Sequence, residues 1–535
     1  MELKWKVSGV GKYGTIFLQG EQELPVSGCF SVEADIPEDT VLDIVTAEIP
    51  WHIRESEKIF MNGFQTWTYC PEYDKRGRTR GLKQIPEHLK HIFKFDRYGD
   101  YHFVDYPYRR GITHGESWCY FRDGSTFRLL ASTDETNGYT LFTYDVSRSV
   151  LTIKRDCSGL EVSGKFDLFD LILETGEEDE VFDRWFDAMG IKPRVSEKIY
   201  GYSSWYNRYQ KISEASILQD LKGCSTIFEK NDLFQVDDGW ERFVGDWLEP
   251  DSEKFPSGMK AMADRIHEDG FRAGLWLAPF VAEKKSAVFK RHPDWFFKVN
   301  ESPWCDGANW SGFYSLDIDN AEVQNYLRAV FSRVFDEWGF DLVKLDFLYG
   351  AAPFGTLTET RAARMRRAME FIRELAGDKL VLGCGVPVMP AFGLVDYCRV
   401  SCDVSLSWND YFFIQFMHRE RVSTKQAIEN TVFRRELNGR AYLSDPDVFF
   451  LRYENIKMDI HQKKELAAIN ALLGGVFLTS DDPSSYTDPM KRAYKKYRHL
   501  TEAENVRVRV QEGNKSITVS YDLDGENHVL HFEHK

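Results

Sequence analysis

The stretch Leu342-Val-Lys344-Leu-Asp346-Phe sets a lysine and an aspartate two residues apart near the end of an apolar run. Side chains two apart share one face of a strand. On a parallel barrel strand both would stand side by side at the carboxyl-terminal mouth, where barrel enzymes carry their chemistry. The neighbouring ammonium keeps the aspartate ionised. A fixed, ionised carboxylate there suits a nucleophile that attacks a sugar carbon, forms an ester and releases it. Asp237-Asp238 follows Phe234-Gln-Val and opens a loop, and paired acceptors suit two sugar hydroxyls; the plainer alternative is that Asp238 caps the next turn. Arg399-Val-Ser-Cys-Asp403 sets a cation four residues before a carboxylate, so Asp403 either faces Asp346 across the mouth or forms a structural ion pair with Arg399. Trp205, Trp276 and Cys384 also stand at the ends of short apolar runs.

These residues need elements to hold them. From Tyr200 onward short apolar runs alternate with helical stretches, the signature of β/α units. Strands are expected to end at Ser204-Trp205, Val236-Asp237-Asp238, Leu275-Trp276, Leu345-Asp346, Gly383-Cys384, Val400-Ser401, Leu443-Ser444 and Leu478-Thr479, which makes a (β/α)₈ TIM barrel. Val323, Leu327, Val330, Val334 and Trp338 form one helical stripe, and Ala362, Met365, Met369 and Ile372 another, ended by Gly377. Residues 1 to about 175 alternate with turn signals at Asp123-Gly124 and Asn137-Gly138, an all-β pattern read as a sandwich. Inside it, Asn62-Gly-Phe-Gln65-Thr-Trp67 reads as a turn-rich loop whose tryptophan is either packed in a core or in contact with a sugar. Glu177 to Met189 reads as a linker helix with acidic residues in its first turn and Gly190 after its last. The expected organisation is a β-sandwich with linker helix over 1–190, a barrel over 191–498 and a small β domain over 499–535.

Composition narrows the partners. A formal charge of −16 argues against a nucleic-acid surface. No run approaches membrane-spanning length and Met1-Glu-Leu-Lys-Trp-Lys lacks a signal-peptide core, so a cytoplasmic protein with no membrane partner is expected. Nine cysteines without a repeat spacing fit reduced thiols. The N-x-S/T triplets at Asn300, Asn309 and Asn514 are then chance matches. No H-E-x-x-H, C-x-x-C, EF-hand or phosphate-loop motif occurs, so neither a metal nor a cofactor is expected. The oligomeric state stays open, a homo-oligomer included.

The ordered set of motifs resembles the α-galactosidases of glycoside hydrolase family 36. The resemblance rests on Tyr202-Ser-Ser-Trp205-Tyr206, Phe234-Gln-Val-Asp237-Asp238-Gly, Gly245-Asp246-Trp247, Gly274-Leu-Trp276-Leu-Ala-Pro279, His292-Pro-Asp-Trp295, Lys344-Leu-Asp346, Gly383-Cys384-Gly385 and Arg399-Val-Ser-Cys-Asp403. It implies a retaining, exo-acting hydrolase of terminal α-galactose, with Asp346 as nucleophile and Asp403 as general acid/base. It also implies that Asp237, Asp238 and Lys344 hold galactose hydroxyls, that Trp276 walls the pocket, and that Arg399 lies near the 2-hydroxyl. Trp205, Tyr206, Cys384 and, from the sandwich domain, Trp67 complete the implied substrate site. The segment Cys402 to Trp408 is looser than the family's acid/base motif, and the carboxyl-terminal domain is short. An α-N-acetylgalactosaminidase, an α-galactosyl transglycosylase, a metal-dependent lyase barrel and a non-catalytic carbohydrate-binding barrel are the alternatives.

Overall fold

The structure, a computed structural model, describes residues 1–409, 418–511 and 513–534. Eight strands form one parallel sheet: Ile199–Ser203, Leu233–Val236, Arg272–Leu277, Leu342–Leu345, Leu380–Gly383, Tyr397–Arg399, Leu443–Asp445 and Val476–Thr479. Neighbours along the chain are neighbours in space, and the last strand pairs with the first through Ile199 opposite Val476. Between the seventh and eighth strands the Gly475 amide donates to the Ser444 carbonyl at 2.8 Å, which closes the barrel. The expected (β/α)₈ barrel is borne out, and each expected strand end falls at or next to an observed one. Nearly all strand residues are buried, because both faces are covered, one by side chains inside the barrel and one by helices outside it.

The outer helices follow from their stripes. Ala321–Ser332 buries Val323, Leu327, Val330 and Phe331, and Arg361–Ala376 buries Ala362, Met365, Met369 and Ile372. Asn320 and Thr360 cap them by accepting from the backbone amides of Glu322 and Ala363.

The amino-terminal region is one antiparallel sheet of eleven strands that folds over on itself. Phe121 and Tyr144 stand on strands that are not paired, yet their rings meet at 5.1 Å, and Phe121 also meets Trp51 at 4.9 Å. Their shared core also holds Val32, Val45, Ile59, Leu130, Ile153 and Leu171. The opposite face of part of this sheet, with Phe60, Trp118, Tyr120 and Phe127, packs on the helix Glu178–Met189 and on the barrel's hydrophobic core. Gly190 ends that helix in the left-handed region, at φ 66°, where its amide returns to the Asp187 carbonyl.

Two excursions break the simple pattern. Residues 87–97 form short helices, Glu87–Phe93 and Phe95–Arg97, inside the otherwise β region. After the third barrel strand the chain builds a three-stranded sheet from Val281–Glu283, Cys305–Gly307 and Phe313–Ser315. Both reach the barrel mouth. Glu504–Gln511, Ser516–Leu523 and Glu526–Glu533 form the final antiparallel sheet.

Candidate active site

A cavity of about 700 Å³ opens at the carboxyl ends of the barrel strands. Asp237, Asp238, Trp276, Lys344, Asp346 and Asp403 all line it, together with Trp205 and, from the amino-terminal sheet, Trp67.

Asp346 is fixed at the end of its strand. Its amide donates to the Leu277 carbonyl at 2.8 Å on the neighbouring strand. Its carboxylate accepts from Trp276 Nε1 at 3.2 Å and from the Phe347 amide at 3.0 Å, one bond to each oxygen. Burial raises its pKa and so does Asp403, whereas Lys344 and hydrogen bonds from Cys384 and Trp276 oppose the rise. Phe347 sits at φ 52°, a left-handed conformation uncommon for a bulky residue. Its ring is clamped by Trp67, Trp310 and Phe313 at centroid distances of 4.9, 4.9 and 5.1 Å, which over-determines that turn.

Lys344 Nζ donates to Asp237 Oδ2 at 2.9 Å, both side chains being nearly buried. Burial alone would lower the lysine's pKa, but Asp237 more than reverses it, so the lysine stays charged. Gln235 Nε2 also donates to Asp237 Oδ2, at 2.8 Å. Asp238 Oδ2 accepts from Gln210 Nε2 at 2.8 Å and from Trp310 Nε1 at 3.0 Å. Asp238 therefore belongs to the pocket wall and is not merely a turn cap. Burial drives the adjacent Glu241 carboxyl far up, and in that protonated form it hydrogen-bonds Asp238, which keeps Asp238 an acceptor.

Asp403 is held by a different device. Arg399 Nη1 lies 2.7 Å from Asp403 Oδ1, Nε lies 3.2 Å from Asp445, and Nη2 lies 3.1 Å from Asp447. Three carboxylates compete for one guanidinium. Burial and Asp447 raise the pKa of Asp403 against the pull of Arg399. The Asp403 side chain keeps 34% exposure, whereas Arg399 keeps 2%. Arg399 is thus placed beneath Asp403 as the ion-pair partner that the sequence also allowed, and it is not among the residues lining the cavity. Tyr206 likewise stands behind the wall, its hydroxyl donating to Asp447 at 2.5 Å. Cys384 is fully buried and receives the Trp67 indole N–H at 3.2 Å.

Trp67 arrives from another part of the chain because its loop is docked onto the barrel. The Thr66 amide donates to the Val386 carbonyl at 3.0 Å and the Val388 amide to the Phe64 carbonyl at 3.1 Å. Arg434, fully buried, donates to the carbonyls of Gly63, Gln65 and Thr66 and to Asn62 Oδ1. A Cβ on Gly385 would come within 2.8 Å of the indole, so only glycine admits it there. Sequence reasoning missed Arg434, Gln210 and Trp310. It also missed the rim residues Phe93, Phe95, Tyr98, His418 and Glu420, which the short helices and the stretch before Ser423 bring to the mouth.

A β-sheet domain preceding a (β/α)₈ barrel, with carboxylates gathered at its mouth, is an arrangement that suits glycoside chemistry. Residues 204–373 match the Melibiase family. Over 151 residues the chain is 27% identical to α-galactosidase AgaA of Geobacillus stearothermophilus, covering 27% of this chain and 20% of that protein. Over 122 residues it is 30% identical to α-galactosidase Mel36A of Lactobacillus acidophilus, covering 22% of this chain and 16% of that protein. The matched stretches thus span a fifth or less of those curated relatives. Along its whole length the chain superposes on the α-galactosidase TtGalA from Thermus thermophilus, solved with p-nitrophenyl α-D-galactopyranoside, at a TM-score of 0.73 and 26% identity, with 98% of each chain covered. The resemblance to family 36 α-galactosidases is borne out.

Proposed function

We propose that this protein is a retaining α-galactosidase that removes terminal α-linked galactose from oligosaccharides. The observation that carries the reading is the contrast between two carboxylates in one cavity. Asp346 is ringed by hydrogen-bond donors and a lysine, whereas the guanidinium that Asp403 pairs with is shared with two other acids. The first suits an ionised nucleophile and the second a group that holds a proton until charge nearby is removed.

In the first displacement Asp346 attacks the anomeric carbon while Asp403 gives its proton to the departing oxygen. The ester neutralises Asp346 and so ends the repulsion between the two carboxyls, which makes it easier for Asp403 to stay ionised. Asp403 then takes a proton from water, which attacks the ester and releases galactose with net retention. Asp237, Asp238 and Lys344 supply charged partners for the sugar hydroxyls. A site built to bond an axial 4-hydroxyl leaves those charges unpaired when the hydroxyl is inverted, so glucosides are poor substrates. Trp276, Trp205 and Trp67 form aromatic walls, and Arg399, Tyr206 and Cys384 position the groups they touch.

The substrate class rests on the relatives: TtGalA was also solved with stachyose, and a variant of AgaA with raffinose. The test is proton NMR of the first sugar released from an aryl α-galactoside. α-Galactose appearing before mutarotation supports the proposal, and β-galactose appearing first refutes it.

A further inference from the structure

Away from the sugar cavity, three potential metal ligands meet inside the protein. His114 and Glu116 stand two residues apart on the strand Ile112–Glu116 and so share a face. Asp100, from the turn after the short helix Phe95–Arg97, comes up against them, and one ligand atom from each residue lies within 4.8 Å of the others. All three are more than nine-tenths buried. Among the described residues no group outside the cluster donates to Asp100 Oδ1, to either carboxylate oxygen of Glu116, or to His114 Nε2, and Asp100 and Glu116 lie close enough to hydrogen-bond each other when one is protonated.

Each residue has its other contacts filled. His114 Nδ1 is 3.1 Å from Thr143 Oγ1, and with Nδ1 as donor the tautomer leaves a lone pair on Nε2. Asp100 Oδ2 accepts from the Tyr106 hydroxyl, which leaves Oδ1 for the centre. Arg419 approaches through Tyr106, its Nη2 being 2.6 Å from that hydroxyl. Glu420 also acts on Asp100 and lies 3.8 Å from His418.

We propose that Asp100, His114 and Glu116 bind one divalent first-row cation, of the zinc or manganese kind, as a structural brace. One imidazole nitrogen and two carboxylates are the donor set such ions take, whereas calcium and magnesium prefer all-oxygen shells. A proton shared between Asp100 and Glu116 would relieve their repulsion but would leave His114 Nε2 unpaired, and a cation satisfies all three.

The brace joins segments that form the mouth of the sugar cavity. Asp100 follows Tyr98, which lines it. Glu116 is tied to the Trp67 loop, its amide donating to the Asn62 carbonyl at 2.8 Å and its carbonyl accepting from Asn62 Nδ2 at 3.1 Å. The cation sits outside the cavity and takes no part in bond making.

The test begins with the purified full chain, dialysed against metal-free buffer and analysed by plasma mass spectrometry. About one equivalent of a first-row divalent ion should remain or be taken up again from micromolar solution. Cobalt(II) loading should give a visible d–d spectrum, and stripping the ion should lower Tm, reversibly with zinc or manganese and not with magnesium. Glu116→Gln and His114→Gln should each lose the equivalent and the cobalt spectrum. A chain that neither retains nor takes up a cation, with an unchanged Tm, overturns the inference and leaves Asp100 and Glu116 sharing a proton. Because the stoichiometry is read on the native chain, a variant that fails to fold does not obscure the result.

Discussion

The indole N–H of Trp67 donates to the Cys384 thiol at 3.2 Å, across 317 residues of chain, so a side chain from the amino-terminal sheet completes the wall of a barrel cavity. The loop that carries it is held by Arg434 and by backbone bonds to Val386 and Val388. Trp67→Ala should therefore weaken galactoside binding with little effect on the barrel's thermal transition. Losing one aromatic wall at about 1.5 kcal/mol corresponds to a rise of about tenfold in KM. Inhibition by a galactose analogue, measured beside Tm, checks it; a large drop in Tm with unchanged affinity would return Trp67 to the core.

Trp310 Nε1 and Gln210 Nε2 both donate to one oxygen of Asp238. Trp310→Phe keeps the ring that clamps Phe347 and removes one charge-assisted bond, worth about 1.5–3 kcal/mol. A ten- to hundredfold loss in kcat/KM is expected, and discrimination between galactoside and glucoside should narrow. Unchanged sugar discrimination would show that Asp238 needs no such support.

Asp447 stands 3.1 Å from Arg399 and raises the pKa of Asp403. Asp447→Asn removes that negative charge and leaves more of the guanidinium to Asp403, so the Asp403 pKa falls. A general acid with a lower pKa loses its proton at lower pH, and the alkaline limb of the kcat/KM profile should move down in pH. The profile should be recorded on a galactoside with a poor leaving group, where the proton matters most. A limb that stays or moves upward would place the acid role elsewhere.

How much of this was legible in the sequence varies with how local the signal is. The barrel was legible because most strands are apolar runs closed by a polar residue, as at Val236-Asp237 and Leu345-Asp346. The helix Glu87–Phe93 was not, because it buries none of its residues and so carries no apolar stripe. Trp310 lies between very short strands that read as loop. Arg434 bonds mainly to backbone carbonyls more than 360 residues away, and no side-chain pattern announces that. Asp100, His114 and Glu116 follow no ligand spacing, since two share a strand face and the third arrives from a turn.

His534 anchors the final sheet to the barrel, Nδ1 lying 2.6 Å from Glu465 and Nε2 3.1 Å from Glu429. Burial alone would lower its pKa, but the two glutamates push it up to about 9 from 6.5. A raised folded-state pKa stabilises fully below the unfolded value, and the stabilisation is lost as pH rises from about 6.5 through about 9. The shift corresponds to about 3 kcal/mol at most. Tm should fall over that window, and His534→Gln should flatten the fall. An equal slope in both proteins would mean that the pair is not what couples stability to pH.

The central claim is that Asp346 forms the covalent bond to the sugar. Asp346→Gly should lower turnover of an aryl α-galactoside at least a thousandfold while leaving a cavity beside the anomeric carbon. Added azide should enter through that cavity, opposite the leaving group, and restore turnover by making β-galactosyl azide. Product analysis by NMR decides it: the account predicts the β-azide, and α-galactosyl azide, or near-normal turnover without azide, would contradict it.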